Sequence, residues 1–386
     1  MKNLSSHKVY IVFSIFSCYL SVGQIYFPTA NSKWEKRNPQ EYDISLNKLS
    51  KAITFAQSNE YSGEKDLRIA ILKGFSKEPY HQILGPTKKR GGPSGIILKN
   101  GYQIASWGDT KKVDMTFSVT KSYLSTVAGL AVDRGLFKPT DIVKNLVWDN
   151  SFDGKHNSQI TWEHLLNQSS DWSGTLWGLH DWADRPPDQG EIDDWKNRLY
   201  MTPGTKYEYN DVRVNLLAYS LLHVWREPLP KIIKRYIMDP IGASTTWRWY
   251  GYKNSWVEID GNRVQSVSGG GHSGGGVFIS TEDHARFGLL FLNNGIWKGK
   301  KLISESWIKK ATSSSPANIS YGYMWWLNKK GTSRYWEGVP ENVYYAAGFG
   351  GNYIVVIPDR NMVVVTRWIE PSKVGEFIKL VIESHP

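Results

Sequence analysis

The sequence predicts an α+β protein in which one antiparallel sheet is assembled from both ends of the chain around a mainly helical insertion. Three observations predict it. Residues 95–99 and 102–107 are β-prone runs flanking Asn100-Gly101, a dipeptide that readily adopts the positive backbone angles of a tight hairpin. Near the other end, residues 353–357 and 362–368 flank Pro358-Asp-Arg-Asn361, a second hairpin signal. Between the two, apolar residues recur mostly at helical spacing, and helix, strands, helices, strands, helix is the order such a sheet requires.

The 386 residues are 40% hydrophobic and 22% charged, a globular balance that supplies a sizeable core and argues against disorder. No linker, charge block or internal repeat divides them, so one composite unit is expected. The start differs. Lys2 and Lys8 give a basic tip before the apolar run 9–20, which is too short for a stable membrane span and reads as an export signal. Small residues Ser21 and Gly23 place cleavage near Gln24, so 1–23 is expected to be a signal peptide and 24–386 a periplasmic or extracellular domain without a transmembrane anchor. Cys18, the one cysteine, lies in that run, where Phe16 fits a lipoprotein box poorly. A mature chain without cysteine has no disulfide, no thiolate metal site and no thiol nucleophile. The formal charge of +11, reduced by two when Lys2 and Lys8 leave, fits either a basic soluble surface or attraction to anionic envelope polymers, and not a nucleic-acid partner.

In chain order, Leu46, Leu49, Ile53 and Ala56 make residues 43–57 an amphipathic helix. After the first hairpin, a helix from about 118 to 134 carries Leu124, Val127, Ala128 and Ala131 on one face and stops at Gly135. Residues 136–265 read as helical segments and loops, with Trp172, Trp177, Trp182 and Trp195 among Gly, Pro and Asp. Within them Leu217, Leu221, Val224 and Trp225 share the face of a helix over 212–225. A glycine tract, 269–276, leads to a helix over 281–292, and Val374, Phe377, Ile378 and Val381 form the apolar face of the last helix.

The chemistry concentrates at Ser118-Val-Thr-Lys121, where nucleophile and amine lie three residues apart on one helical face. A serine hydroxyl needs a base within hydrogen-bond reach, and an amine serves as one only when its pKa is lowered. Burial and the positive end of the helix dipole both disfavour the ammonium, which pushes Lys121 in that direction. The amide of Ser118, at the first turn, is free to bond a developing oxyanion. Ser-x-x-Lys is weak alone, and Ser306-Trp-Ile-Lys309 repeats it by chance. Further along, Tyr207-Glu-Tyr209-Asn210-Asp211 supplies a tyrosine where a loop enters the 212–225 helix, and phenol and amine together can move a proton from nucleophile to leaving group.

These residues resemble the serine β-lactamase and penicillin-binding-protein superfamily, in the branch of class C β-lactamases, family VIII esterases and 6-aminohexanoate-oligomer hydrolases. The resemblance covers nearly the whole mature chain: the first hairpin, Thr161-Trp-Glu-His-Leu-Leu as the loop beginning T-x-x-H-L-L, and residues 274–290 as the G-G, T-x-D, R-F segment. It implies the β-lactamase/transpeptidase-like fold, Ser118 as nucleophile, Lys121 as proton acceptor and Tyr209 as the tyrosine of Y-x-N. Two departures bear on function. Asp211 stands where the family commonly has Asn, placed to hold Lys121 as an ion pair and to alter substrate recognition, with Asn210 beside it. The third motif, K-T-G or H-x-G, is Ala346-Ala347-Gly348, which keeps the strand and the glycine but loses the cation. Phe349 follows as the second oxyanion donor. Without the cation a β-lactam carboxylate loses its usual partner, so an ester or amide substrate without cofactor is expected ahead of β-lactamase or D-amino-acid peptidase activity, and ahead of a non-catalytic envelope-binding module.

Gly271-His272-Ser273-Gly274-Gly275 also matches the G-x-S-x-G elbow of α/β-hydrolases, but that elbow needs a helix at once after it, whereas Val277-Phe-Ile is β-prone. The tract is instead a return from lobe to sheet, with His272 a candidate to face the cleft and Trp172 a candidate wall. The nine histidines are scattered and no H-E-x-x-H occurs, so no metal is expected, and Asp181, Asp184, Asp193 and Asp194 read as solvated loop acids.

Overall fold

The computed structural model describes residues 25–30, 34–187 and 189–385; the expected signal peptide, Cys18 and the cleavage point near Gln24 lie outside them. In chain order the main elements are α1 (Leu46–Ser58), α2 (Leu67–Gly74), β1 (Ser94–Lys99), β2 (Tyr102–Trp107), β3 (Asp114–Met115), α3 (Thr120–Asp133) and α4 (Asp211–Trp225). There follow β4 (Arg248–Ile259), β5 (Asn262–Val267), β6 (Gly276–Ile279), α5 (Thr281–Leu292), β7 (Trp326–Leu327), β8 (Tyr344–Gly348), β9 (Asn352–Ile357), β10 (Met362–Arg367) and α6 (Val374–Glu383). Short helical turns fill the connections.

The six-stranded antiparallel sheet has the order β7-β8-β9-β10-β1-β2, so strands from the two ends of the chain meet where Ile97 pairs Val364. Asn100 (φ 48) and Gly101 (φ 84) turn β1 into β2 with both residues left-handed, the hairpin their dipeptide calls for. Side-chain alternation then sorts the two cores. Ile97, Val355 and Val364 face α1 and α6, whereas Ile96, Leu98, Val363 and Val365 face α3 and α5. Ser45 caps α1 and Ser280 caps α5, each accepting from a backbone amide three residues on. The α+β class with an inserted lobe and flanking terminal helices is the observed architecture.

Three boundaries differ from expectation. The first helix starts at Leu46 and not at 43, because Ser45 takes the cap. Residues 136–265 are not all helical: β4 and β5 form a long hairpin around Asp260 (φ 52) and Gly261 (φ 72), joined through β6 to β3 in a second sheet. That Asp-Gly turn is a signal the helical reading passed over. Lastly, Ser118 precedes α3 on a single 3-10 turn, Phe117–Val119.

Candidate active site

From Asp114 to Ala131 every residue is buried except Ser118. This isolation has a local cause. Phe117 is held at φ 50, a left-handed conformation costing an L-residue about 1–2 kcal/mol. Its ring is pinned against Phe349 (5.1 Å) and Trp368 (6.5 Å). The kink turns the chain just before Ser118 and leaves that residue on the wall of a cavity of about 700 Å³. Tyr209 lines the same cavity, as do Gly348 and Phe349 at the end of β8. Because β7 pairs only Tyr344 and Tyr345, the outer edge of β8 is uncovered from Ala346 onward.

Lys121, buried in the first turn of α3, places Nζ 2.9 Å from Ser118 Oγ and 2.5 Å from Asp211 Oδ1, on α4. A Cβ on Gly270 would overlap both Asp211 Oδ1 and Lys121 Nζ, so the glycine tract is what lets this pair form beneath Ser118. The proton state of Lys121 corrects the expectation. Burial, the largest single influence, pushes its pKa down, but the Asp211 carboxylate and Tyr209 together outweigh burial and hold the ammonium above its ordinary value, while Asp211 is driven well below the usual carboxylate range. Tyr209 presents its ring face to Lys121, with the centroid 4.6 Å from Nζ. Among the described residues its hydroxyl has no protein partner.

Asp211 has further partners that sequence reasoning missed. Its Oδ2 takes Arg185 Nη2 at 2.7 Å and lies 3.4 Å from His272 Nδ1. Arg185 also pairs with Asp184, and His272 Nε2 meets Glu78 Oε2 at 2.5 Å. Burial disfavours the His272 imidazolium, yet Asp184, Asp211 and Glu78 together raise its pKa to about 9. Three acids and three bases thus interlock behind Ser118. Asp184, Asp211 and His272 offer donor atoms within 4.8 Å of one another, a set a metal cation could share, but Lys121 and Arg185 already compensate those carboxylates.

The backbone supplies the remaining chemistry. Ser118 opens its helix with no carbonyl one turn back. A Cβ on Gly348 would stand 3.3 Å from Ser118 N and overlap Thr116 O, so only glycine brings β8 this close. The end of β8 thus packs against the Ser118 amide, and Phe349, the next residue, lines the same cavity as Ser118.

Ser118, Tyr209, Asp211, His272, Gly348 and Phe349 line this cavity, with Lys121 beneath it. Three expected substrate contacts do not. Trp172 is buried in the lobe core, with Nε1 bonded to Ser151 O. Asn210 is the cap of α4, accepting from Arg213 N and donating to Asp181 O. Ala346 points into the core between sheet and α3, and strand alternation gives the cleft to Ala347 instead. Asp181 and Asp184 are buried ion-pair partners and not solvated acids. Ser273 is buried, and β6 follows it where an elbow would need a helix.

A beta-lactamase family profile matches residues 109–367. A putative D-alanyl-D-alanine carboxypeptidase of Escherichia coli O157:H7 is 22% identical over 92% of this chain and 89% of its own length. The 6-aminohexanoate-dimer hydrolase of Paenarthrobacter ureafaciens is 23% identical over 72% of this chain and 71% of its own. The solved structure of a family VIII carboxylesterase superposes with a TM-score of 0.56 at 15% identity, covering 88% of this chain and 98% of that one.

Proposed function

The chain belongs to the beta-lactamase family of serine hydrolases, and from that membership we propose that it cleaves an ester or amide through an acyl-enzyme on Ser118. The observation that carries this reading is the contact of Lys121 Nζ with Ser118 Oγ at 2.9 Å on an otherwise buried helix start. Because Lys121 rests as an ammonium, it accepts the Ser118 proton only as it passes one of its own to Asp211 Oδ1; lysine and carboxylate act as one base. The Ser118 oxygen bonds to the carbonyl carbon, and the negative oxygen is held by the amides of Ser118 and Phe349. Collapse expels the alkoxide or amine, which takes the stored proton through Lys121 and the Tyr209 hydroxyl. Water then attacks the acyl-enzyme carbonyl and gives its proton to the same lysine–carboxylate base; the acyl–Oγ bond breaks, the acid leaves, and the stored proton returns to Ser118 Oγ.

A fluorophosphonate probe is expected to label the protein, with the adduct mapped by peptide mass spectrometry to Ser118. A label elsewhere, or none on folded protein, overturns the reading and leaves an envelope-binding module.

Esters are placed ahead of β-lactams because the third motif lacks its cation and Ala346 faces the core. p-Nitrophenyl esters of short acids are expected to turn over faster than a chromogenic cephalosporin, and the reverse ranking contradicts this. Export belongs to the same reading, supported by the basic tip and apolar run at 9–20.

A further inference from the structure

Two arginines line the cavity, and they differ in charge balance. Arg185 is neutralised by Asp184 and Asp211. Arg334 has no carboxylate within salt-bridge distance among the described residues. It comes from the β7–β8 connection, which also carries Lys329 and Lys330, and its backbone oxygen is tied down by Tyr345 Oη at 3.3 Å. The guanidinium lies 4.1 Å over the ring of Trp326, which stacks on Tyr209 at 5.9 Å. Arg334 is thus linked to Lys121 through two aromatic rings in series, Trp326 and then Tyr209. Asn318, Ser320, Thr332 and Ser333 line the cavity with it and bring hydroxyl and amide donors.

A cation with this setting suits one kind of ligand. The stacked ring fixes the plane of the guanidinium fork, and the fork matches a carboxylate bidentately. The aromatic rings that line the cavity with it, Trp326 and Tyr209 among them, suit an apolar chain. We propose that Arg334 is a subsite for a substrate carboxylate, and that the preferred substrates are esters or amides carrying that carboxylate several methylenes from the scissile carbonyl. The proposal rests on this cavity being the hydrolase site, and it names the substrate class.

The test compares mono-p-nitrophenyl adipate with p-nitrophenyl hexanoate, equal chains that differ in the terminal charge. In Arg334→Gln the ratio of kcat/KM for adipate over hexanoate is expected to fall about 10- to 100-fold, chiefly through KM, and Arg334→Lys to restore part of it. In parallel, calorimetry measures monobenzyl adipate binding to Ser118→Ala, where no turnover intervenes. Adding Arg334→Gln is expected to weaken Kd by a similar factor, and rising salt to weaken binding only where Arg334 is present. An unchanged ratio together with an unchanged Kd overturns the subsite. Absent turnover of both esters with the Kd difference intact overturns the nucleophile assignment and leaves the subsite standing.

Discussion

Lys121→Ala is expected to lower kcat/KM for a p-nitrophenyl ester by about 10²- to 10⁴-fold, the range for loss of a positioned acid–base group. Among the described residues the amine is the one group in contact with both the Ser118 hydroxyl and the Asp211 carboxylate, so without it the proton has no path between them. Asp211 keeps Arg185 at 2.7 Å, so the fold should survive, as far-ultraviolet circular dichroism can check. Kinetics within threefold of the parent in a folded variant would show that proton transfer runs through another group.

Asp211→Ala is expected to cost about 3–5 kcal/mol of stability, the penalty for stripping buried charges of their shared partner. Lys121, Arg185 and His272 all lean on this carboxylate. Urea unfolding reads it as a lower midpoint at unchanged slope. The same cluster sets a pH dependence in the parent protein. His272 is raised from 6.5 to about 9 on folding, so its contribution is complete below pH 6.5 and is lost as pH rises through 9. Asp211 is depressed from 3.8, so its contribution holds above that pH and is lost as acid drives it through its lower folded value. Stability should therefore fall between pH 6.5 and 9, by up to about 3 kcal/mol, and His272→Asn should flatten that slope. A midpoint indifferent to Asp211→Ala, or an equal alkaline slope in His272→Asn, would mean that solvent screens the cluster.

What the sequence made legible was local. Asn100-Gly101, the Ser-x-x-Lys spacing and the 281–292 periodicity are each decided within a dozen residues: the hairpin and the 281–292 helix stand as read, and Lys121 reaches Ser118 although its helix begins two residues later than read. What escaped was decided at long range. Burial of Lys121 was legible, but the sign of its pKa shift is set by a carboxylate 90 residues away. Arg185 and Glu78 arrive from loops with no periodicity to give them direction. Ala346 failed by strand parity, since one residue of register exchanges cleft for core. Trp172 and Asn210 show the limit of composition: an aromatic or amide in a polar loop has no address until the lobe closes over it.

The interlocked cluster also constrains how this protein can diverge. Glu78, Asp184 and Asp211 carry as many negative charges as Lys121, Arg185 and protonated His272 carry positive ones. Neutralising Asp211, the carboxylate that three bases share, strands them in a low-dielectric interior, whereas removing an acid and its basic neighbour together leaves the ledger even. Installing the commoner asparagine at 211 would thus be tolerated best in a background that has already lost Arg185, so descendants should cross this region by paired steps, with strong epistasis between them.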